Sequence, residues 1–131
     1  MLPEAGSPQD WLRHARSDLA LAEGGGPQYV LLETLCFHAQ QAVEKSIKAV
    51  LVHHGIAFPK VHSIERLIDL LPSHIARPDD LIGSAQLTAY ATVFRYPGDF
   101  EDVTSAGYHE AVRLARSVVC WAESVVALQN H

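Results

Sequence analysis

Residues 32–52 read LETLCFHAQQAVEKSIKAVLV, a segment that can form one long helix because it contains neither glycine nor proline. At 3.6 residues per turn, its apolar residues fall on one broad face. They are Leu32, Leu35, Cys36, Ala39, Ala42, Val43, Ile47, Val50 and Leu51. A face of this width predicts that the helix packs against at least two neighbours.

The opposite side of this helix carries Gln41, Glu44, Lys45 and Lys48. One interpretation is a solvated surface on which Glu44 and Lys48, one turn apart, form an ion pair worth a few tenths of a kcal/mol. The other interpretation is the lining of a ligand cleft. On the first, replacing both lysines by alanine changes the free energy of unfolding by well under about 1 kcal/mol.

The length of 131 residues and the apolar fraction of 48% predict a single helical domain over residues 1–131, with residues 1–7 as a loose tail. No apolar run approaches the roughly 20 residues of a membrane helix, and the first residues do not resemble a signal peptide. Cys36 and Cys120 fall on apolar helical faces, which is typical of cysteines outside disulfides in a reducing cytoplasm. The formal net charge of −5 argues against charge-driven binding to nucleic acid.

Helical patterns occur in four further segments. Their predicted bounds are Pro8 to about Glu23, Ser63 to a residue before Pro72, Asp79 to Phe94, and Thr104 or Ser105 to the C-terminus. Serine and threonine are favoured at such starts because their side chains accept hydrogen bonds from unpaired backbone N–H groups. The long helix is predicted to begin by Gln28 or Tyr29 and to end at Gly55. No segment alternates with period two, so the predicted class is all-α: an up-and-down bundle of four main helices plus one short helix.

The eight histidines invite a test for a metal site, and none of the usual patterns is present. The chain lacks Glu-x-x-His, His-x-x-x-His on a helix and Cys-x-x-Cys. Its triple glycine, residues 24–26, is followed by Pro27 instead of the Gly-Lys-Ser/Thr of a phosphate-binding loop. We therefore expect no metal, and interpret most histidines as surface or helix-end residues. A Ser–His–acid triad stays open, although nothing in the sequence favours one.

Three segments together resemble a known family. Residues 37–49 read FHAQQAVEKSIKA, His62 precedes the short helix, and Arg95-Tyr96-Pro97 follows the fourth helix. In this order and spacing, over nearly the whole chain, they resemble the HEPN domain family in its Arg-Tyr-Pro variety. The resemblance implies an up-and-down helical bundle, usually a homodimer, with a cleft associated with nucleotides or RNA. It also implies a minimal nucleotidyltransferase as partner, or a role in a toxin–antitoxin pair.

One motif of the family is missing. Ribonucleases resembling HEPN toxins carry an arginine followed, after four to six residues, by a histidine. Here seven residues separate Arg66 from His74, and thirteen separate Arg95 from His109. Such a pair would activate the ribose 2′-hydroxyl and stabilise phosphate charge, which requires a fixed mutual geometry. The predicted function is therefore a non-catalytic nucleotide-binding and partner-binding module. The alternatives are a metal-independent ribonuclease with an atypical site, using His109 or His62 as base, and a bare dimerisation bundle.

Six residues are candidates for nucleotide binding. They are Gln41, Lys45, Lys48, His62, Arg95 and Tyr96. A guanidinium and two ammonium groups suit phosphate, a tyrosine ring suits base stacking, and an amide suits a base edge or sugar. Each also has a structural interpretation: Arg95 can satisfy the last carbonyls of a helix, and His62 can be a helix-start contact. Apart from a nucleotide ligand, no cofactor and no membrane partner is expected.

The predicted fourth helix has apolar residues on two faces. One face carries Leu87, Tyr90 and Phe94, and the other carries Ile82, Ala85 and Ala89. A monomer would leave one of these faces exposed or covered only by the short third helix. The sequence therefore predicts a homodimer.

Overall fold

The computed structural model describes residues 2–24, 29–91 and 102–128. Over these ranges the chain forms five α-helices and one 3-10 helix, and none of the described residues lies in a strand. The elements are α1 (Pro8–Glu23), α2 (Leu32–His53), α3 (Ile64–Asp69), α4 (Asp79–Gly83), the 3-10 helix (Ser84–Tyr90) and α5 (Ser105–Leu128). This arrangement confirms the predicted all-α bundle.

The long helix α2 is the centre of the bundle. It packs against α1 and α5, and also against α3 and the 3-10 helix. Ion pairs from Arg16 to Glu123 (3.0 Å) and from Arg116 to Glu23 (3.3 Å) show that α1 and α5 run antiparallel. The predicted apolar face of α2 is buried except for Leu32, which is partly buried against the core. Each fully buried aliphatic side chain of this kind contributes roughly 1.5–3 kcal/mol, so α2 dominates the stability of the fold.

Several predicted helix ends are confirmed by their hydrogen bonds. The Ser7 hydroxyl accepts from the backbone N–H of Asp10 at 3.1 Å, with Pro8 in the first turn. Ser63 caps α3 in the same way through Arg66 (3.3 Å), and Thr104 accepts from the N–H of Gly107 at 3.0 Å. Gly55, with φ of +68°, follows α2 in the left-handed conformation that glycine adopts without steric cost.

Two predicted boundaries are wrong. α2 begins at Leu32 and not by Tyr29, because the extended Leu31 precedes it and its carbonyl accepts the first backbone hydrogen bonds of the helix. Beyond Gly83, the predicted fourth helix continues as a 3-10 helix. The Ser84 hydroxyl donates to the carbonyl of Leu81 at 2.6 Å, and glycine and serine both weaken an α-helix at this point. The end of the predicted helix, residues 92–94, lies outside the described residues.

The remaining expectations have mixed outcomes. Cys36 is buried as predicted, whereas Cys120 is exposed, so its assignment to an apolar face was wrong; neither is in a disulfide. On the predicted dimer surface, Leu87 is buried in the core of the protomer, while Ile82 is 55% exposed. The homodimer itself stays a prediction. Among the helices as described, none is long and apolar enough to cross a membrane.

Candidate functional site on the second helix

The polar side of α2 is covered by other parts of the chain. Glu44 is 3% exposed and Lys48 is 8% exposed. Their predicted ion pair is present, with Lys48 Nζ 2.7 Å from Glu44 Oε1. The ammonium group also lies 5.6 Å from the ring centroid of Trp11 and 5.4 Å from that of Phe58, which are distances of cation–π contacts. The interpretation of this face as solvated surface is therefore wrong for Glu44 and Lys48, because α1 and the loop after α2 cover them.

Glu44 accepts hydrogen bonds from four side chains. Besides Lys48, the donors are Gln40 Nε2 (2.9 Å), Gln41 Nε2 (3.3 Å) and His62 Nδ1 (3.1 Å). Burial raises the pKa of Glu44, but the hydrogen bonds from Lys48 and Gln40 outweigh it, so this pKa lies below its ordinary value. We call these five residues the Glu44 network. Because Gln40 also donates to the backbone carbonyl of His62 at 3.3 Å, the network fixes the loop before α3 onto α2.

His62 is the most accessible member of the Glu44 network. Its side chain is 63% exposed, although its Nδ1 atom contacts the buried carboxylate. Since an ionised carboxylate can only accept, Nδ1 carries the proton of this hydrogen bond. The second ring nitrogen, Nε2, then remains for a ligand or for water. An imidazole fixed in this way can donate to a phosphate when protonated, or accept a proton when neutral.

A second set of charged side chains links α2 to α1. Asp18, which is 8% exposed, accepts from Lys45 Nζ at 2.7 Å and contacts His38 Nδ1 at 2.9 Å. We call Asp18, His38 and Lys45 the Asp18 network. Lys45 and His38 are each about three-quarters covered. Lys45 is therefore a partner of an aspartate on α1 and not an unengaged cation on the surface.

The six sequence candidates are thus placed differently. Gln41 and His62 meet at Glu44, with Lys48 buried behind them, while Lys45 belongs to the Asp18 network. The last two candidates, Arg95 and Tyr96, lie outside the described residues. The structure brings three of the six into one network and leaves His62 as its exposed group.

Three residues of these networks, Gln40, Asp18 and His38, were not among the sequence candidates. Gln40 could have been found, because it lies one helical turn before Glu44 and next to the apolar face of α2. Asp18 gave no signal, since an aspartate between apolar residues on α1 is equally compatible with solvent exposure. No group of three or more His, Cys, Asp or Glu side chains within the described ranges is arranged to hold a metal ion.

Comparison with known proteins agrees with this fold. The family described as HEPN domain matches residues 8–125. The crystal structure of TT1696 from Thermus thermophilus is 30% identical, with a TM-score of 0.76, over 92% of this chain and 98% of that chain. The crystal structure of ST0689, described as an archaeal HEPN homologue, is 26% identical, with a TM-score of 0.69 and the same coverage of both chains. No curated protein matches. The chain belongs to the HEPN domain family.

Proposed function

We propose that this protein is a nucleotide-binding and partner-binding HEPN module that acts with a minimal nucleotidyltransferase, as one member of a toxin–antitoxin type pair. Membership in the HEPN family supports the partner. The observation that carries the nucleotide site is the exposed imidazole of His62, held in one orientation by the buried carboxylate of Glu44. Because this ring is already oriented, it loses less conformational entropy on binding than a mobile side chain would.

Each proposed ligand group has a defined task. A protonated His62 donates to a phosphate oxygen in a charge-assisted hydrogen bond. The half-buried amide of Gln41 suits a base edge or a sugar hydroxyl. Arg95 and Tyr96 remain proposed contacts for phosphate and base. Lys48 has a different task from the one expected: it neutralises Glu44 and so keeps the anchor of His62 ionised.

A thermal-shift assay with nucleoside mono-, di- and triphosphates tests the nucleotide site. A ligand that binds only the folded chain raises the melting temperature by mass action, by about 2.7 kcal/mol of stability at a hundredfold excess over its Kd. We expect His62→Ala to remove this rise. His14→Ala is the matched control, because His14 is a comparably exposed histidine near Asp10 on α1. A rise that survives in His62→Ala, or no rise at millimolar ligand, contradicts the proposed site.

The proposed partner is tested by co-expression with a minimal nucleotidyltransferase encoded next to this chain. We expect the two proteins to co-elute in a stoichiometric complex. We also expect the nucleotidyltransferase to relieve any growth defect that this chain causes when it is expressed alone. Separate elution without an effect on growth would contradict the partner assignment and leave the nucleotide site to its own test.

One observation favours the ribonuclease alternative. A carboxylate that orients an imidazole through Nδ1 and leaves Nε2 accessible is the arrangement of a general base, and Glu44 and His62 have it. Cleavage of RNA also needs a cation to stabilise the charge that develops on the phosphate. Lys48, the cation of the Glu44 network, is buried and bound to Glu44, so it does not supply that charge. For this reason we prefer the non-catalytic function.

A further inference from the structure

A groove lies between the end of α1 and the first turns of α2, away from the Glu44 network. Its volume is about 540 Å³, and it is lined by Ala20, Leu21, Gly24, Val30, Thr34, Leu35 and His38. Pockets of roughly 300–1,000 Å³ with mainly apolar walls and a few polar groups are typical of small-molecule sites. None of the functions considered so far uses this groove.

The α1 wall of the groove is flat. Ala20 and Gly24 are one helical turn apart and have almost no side chain, so they leave the surface of the helix without protrusions. Leu21 is 53% exposed and Val30 is 36% exposed, although both are large apolar residues. A flat wall between accessible apolar side chains suits a planar ring, which removes their surface from water when it binds.

The α2 wall supplies two polar groups one helical turn apart, Thr34 and His38. The Nδ1 atom of His38 contacts Asp18 at 2.9 Å, so the proton of this hydrogen bond lies on Nδ1 and Nε2 is left as an acceptor. The charges of Asp18 and Lys45 offset each other at a distance of 2.7 Å. The groove therefore offers an acceptor, a hydroxyl and apolar surface, with no unpaired charge among its lining residues.

We propose that this groove binds an uncharged planar heteroaromatic ring that carries an N–H donor, such as an indole or a nucleobase. The ring lies against Ala20 and Gly24, and its N–H donates to Nε2 of His38. The Asp18 network acts through His38 by fixing the tautomer and the orientation of the imidazole. This site is separate from His62 and does not depend on the proposed function.

Titration calorimetry with indole, 1-methylindole and adenine tests the proposal on the full chain. The methyl group of 1-methylindole removes the donor and keeps the ring, so we expect it to bind about tenfold more weakly than indole, the usual cost of one hydrogen bond. Saturable binding of either N–H compound supports the site, and the tighter of the two identifies the source of the ring. Absence of binding by both at millimolar concentration overturns the proposal, and so does equal binding of indole and 1-methylindole.

Two variants locate the binding. Ala20→Leu fills the flat wall from an exposed helical position, and we expect it to weaken binding at least tenfold. Ala127→Leu, at an exposed position on α5, is the matched control and leaves binding unchanged. His38→Phe keeps a ring in the wall and removes the acceptor, so it should make indole and 1-methylindole bind equally. Undiminished binding by Ala20→Leu, or a persisting preference for indole in His38→Phe, places the ligand elsewhere and refutes the proposal.

Discussion

Replacing Glu44 by glutamine tests whether the polar side of α2 holds the fold together. The substitution keeps the shape of the side chain and removes its charge. It leaves the ammonium group of Lys48 without a counter-charge in a site where that residue is 8% exposed. An uncompensated buried charge is costly, because neither water nor a partner stabilises it.

The expected loss of stability is large. Breaking a buried ion pair by removing one partner costs about 3–5 kcal/mol, out of a total of roughly 5–15 kcal/mol for a domain. For a chain of this length, 1 kcal/mol corresponds to about 3–4 °C, so the melting temperature should fall by roughly 10–20 °C. Urea unfolding followed by circular dichroism gives the free energy, and calorimetry gives the melting temperature.

The control is Glu110→Gln, which breaks the exposed pair of Glu110 with Arg113 on α5 and should leave the unfolding midpoint almost unchanged. The double variant Glu44→Gln/Lys48→Met should recover much of the loss, because it removes the stranded ammonium. The pKa of Glu44 lies below its ordinary value, so its contribution is present above pH 4.5 and is lost as the pH falls through the lowered pKa. If Glu44→Gln costs no more than Glu110→Gln, the Glu44 network does not stabilise this fold.

Other contacts support three further predictions. Burial and the neighbouring His53 and His74 lower the pKa of His54, so wild-type stability should decline as the pH falls below 6.5, where the unfolded chain takes up the proton more readily; urea titrations from pH 8 to 5 should show a smaller decline in His54→Gln. The homodimer should persist at micromolar concentration in light scattering and dissociate in Ile82→Glu, since Ile82 is an exposed apolar side chain of α4; a monomeric wild type contradicts this. Purified protein should not cleave single-stranded RNA without metal, and cleavage that is abolished in His62→Ala would establish the ribonuclease alternative instead.

Helix ends were predictable where one local side chain determines them. Ser7, Ser63 and Thr104 cap the helices that follow them, because each hydroxyl needs only the N–H of a residue three positions on. The 3-10 helix was not predictable in this way. Part of it is fixed by a distant contact, in which the Thr88 hydroxyl accepts from the backbone N–H of Ile64 at 3.1 Å. A contact across 24 positions leaves no signal in a window of one or two helical turns.

The burial of the polar face of α2 was not predictable for the same reason. Periodicity correctly placed Glu44 and Lys48 one turn apart and paired them. It could not show that Trp11 from α1 and Phe58 from the next loop would cover Lys48. An amphipathic pattern reports which side of a helix is polar, and only the tertiary fold determines what packs on it.

This burial changes what the family motif on α2 can be taken to mean. Gln40, Glu44 and Lys48 are spaced four residues apart, and both outer side chains donate to Glu44. The amide, the carboxylate and the ammonium are each required by packing alone, because a buried carboxylate needs donors and a buried ammonium needs a counter-charge. The motif is therefore sufficient to explain a HEPN fold without any ligand. A substitution of Lys48 would lower stability and ligand affinity together, so it cannot separate the two roles. His62 can separate them, since its ring is mostly in solvent: a loss of nucleotide binding in His62→Ala with little loss of stability would assign ligand recognition to the exposed end of a network whose buried part serves the fold.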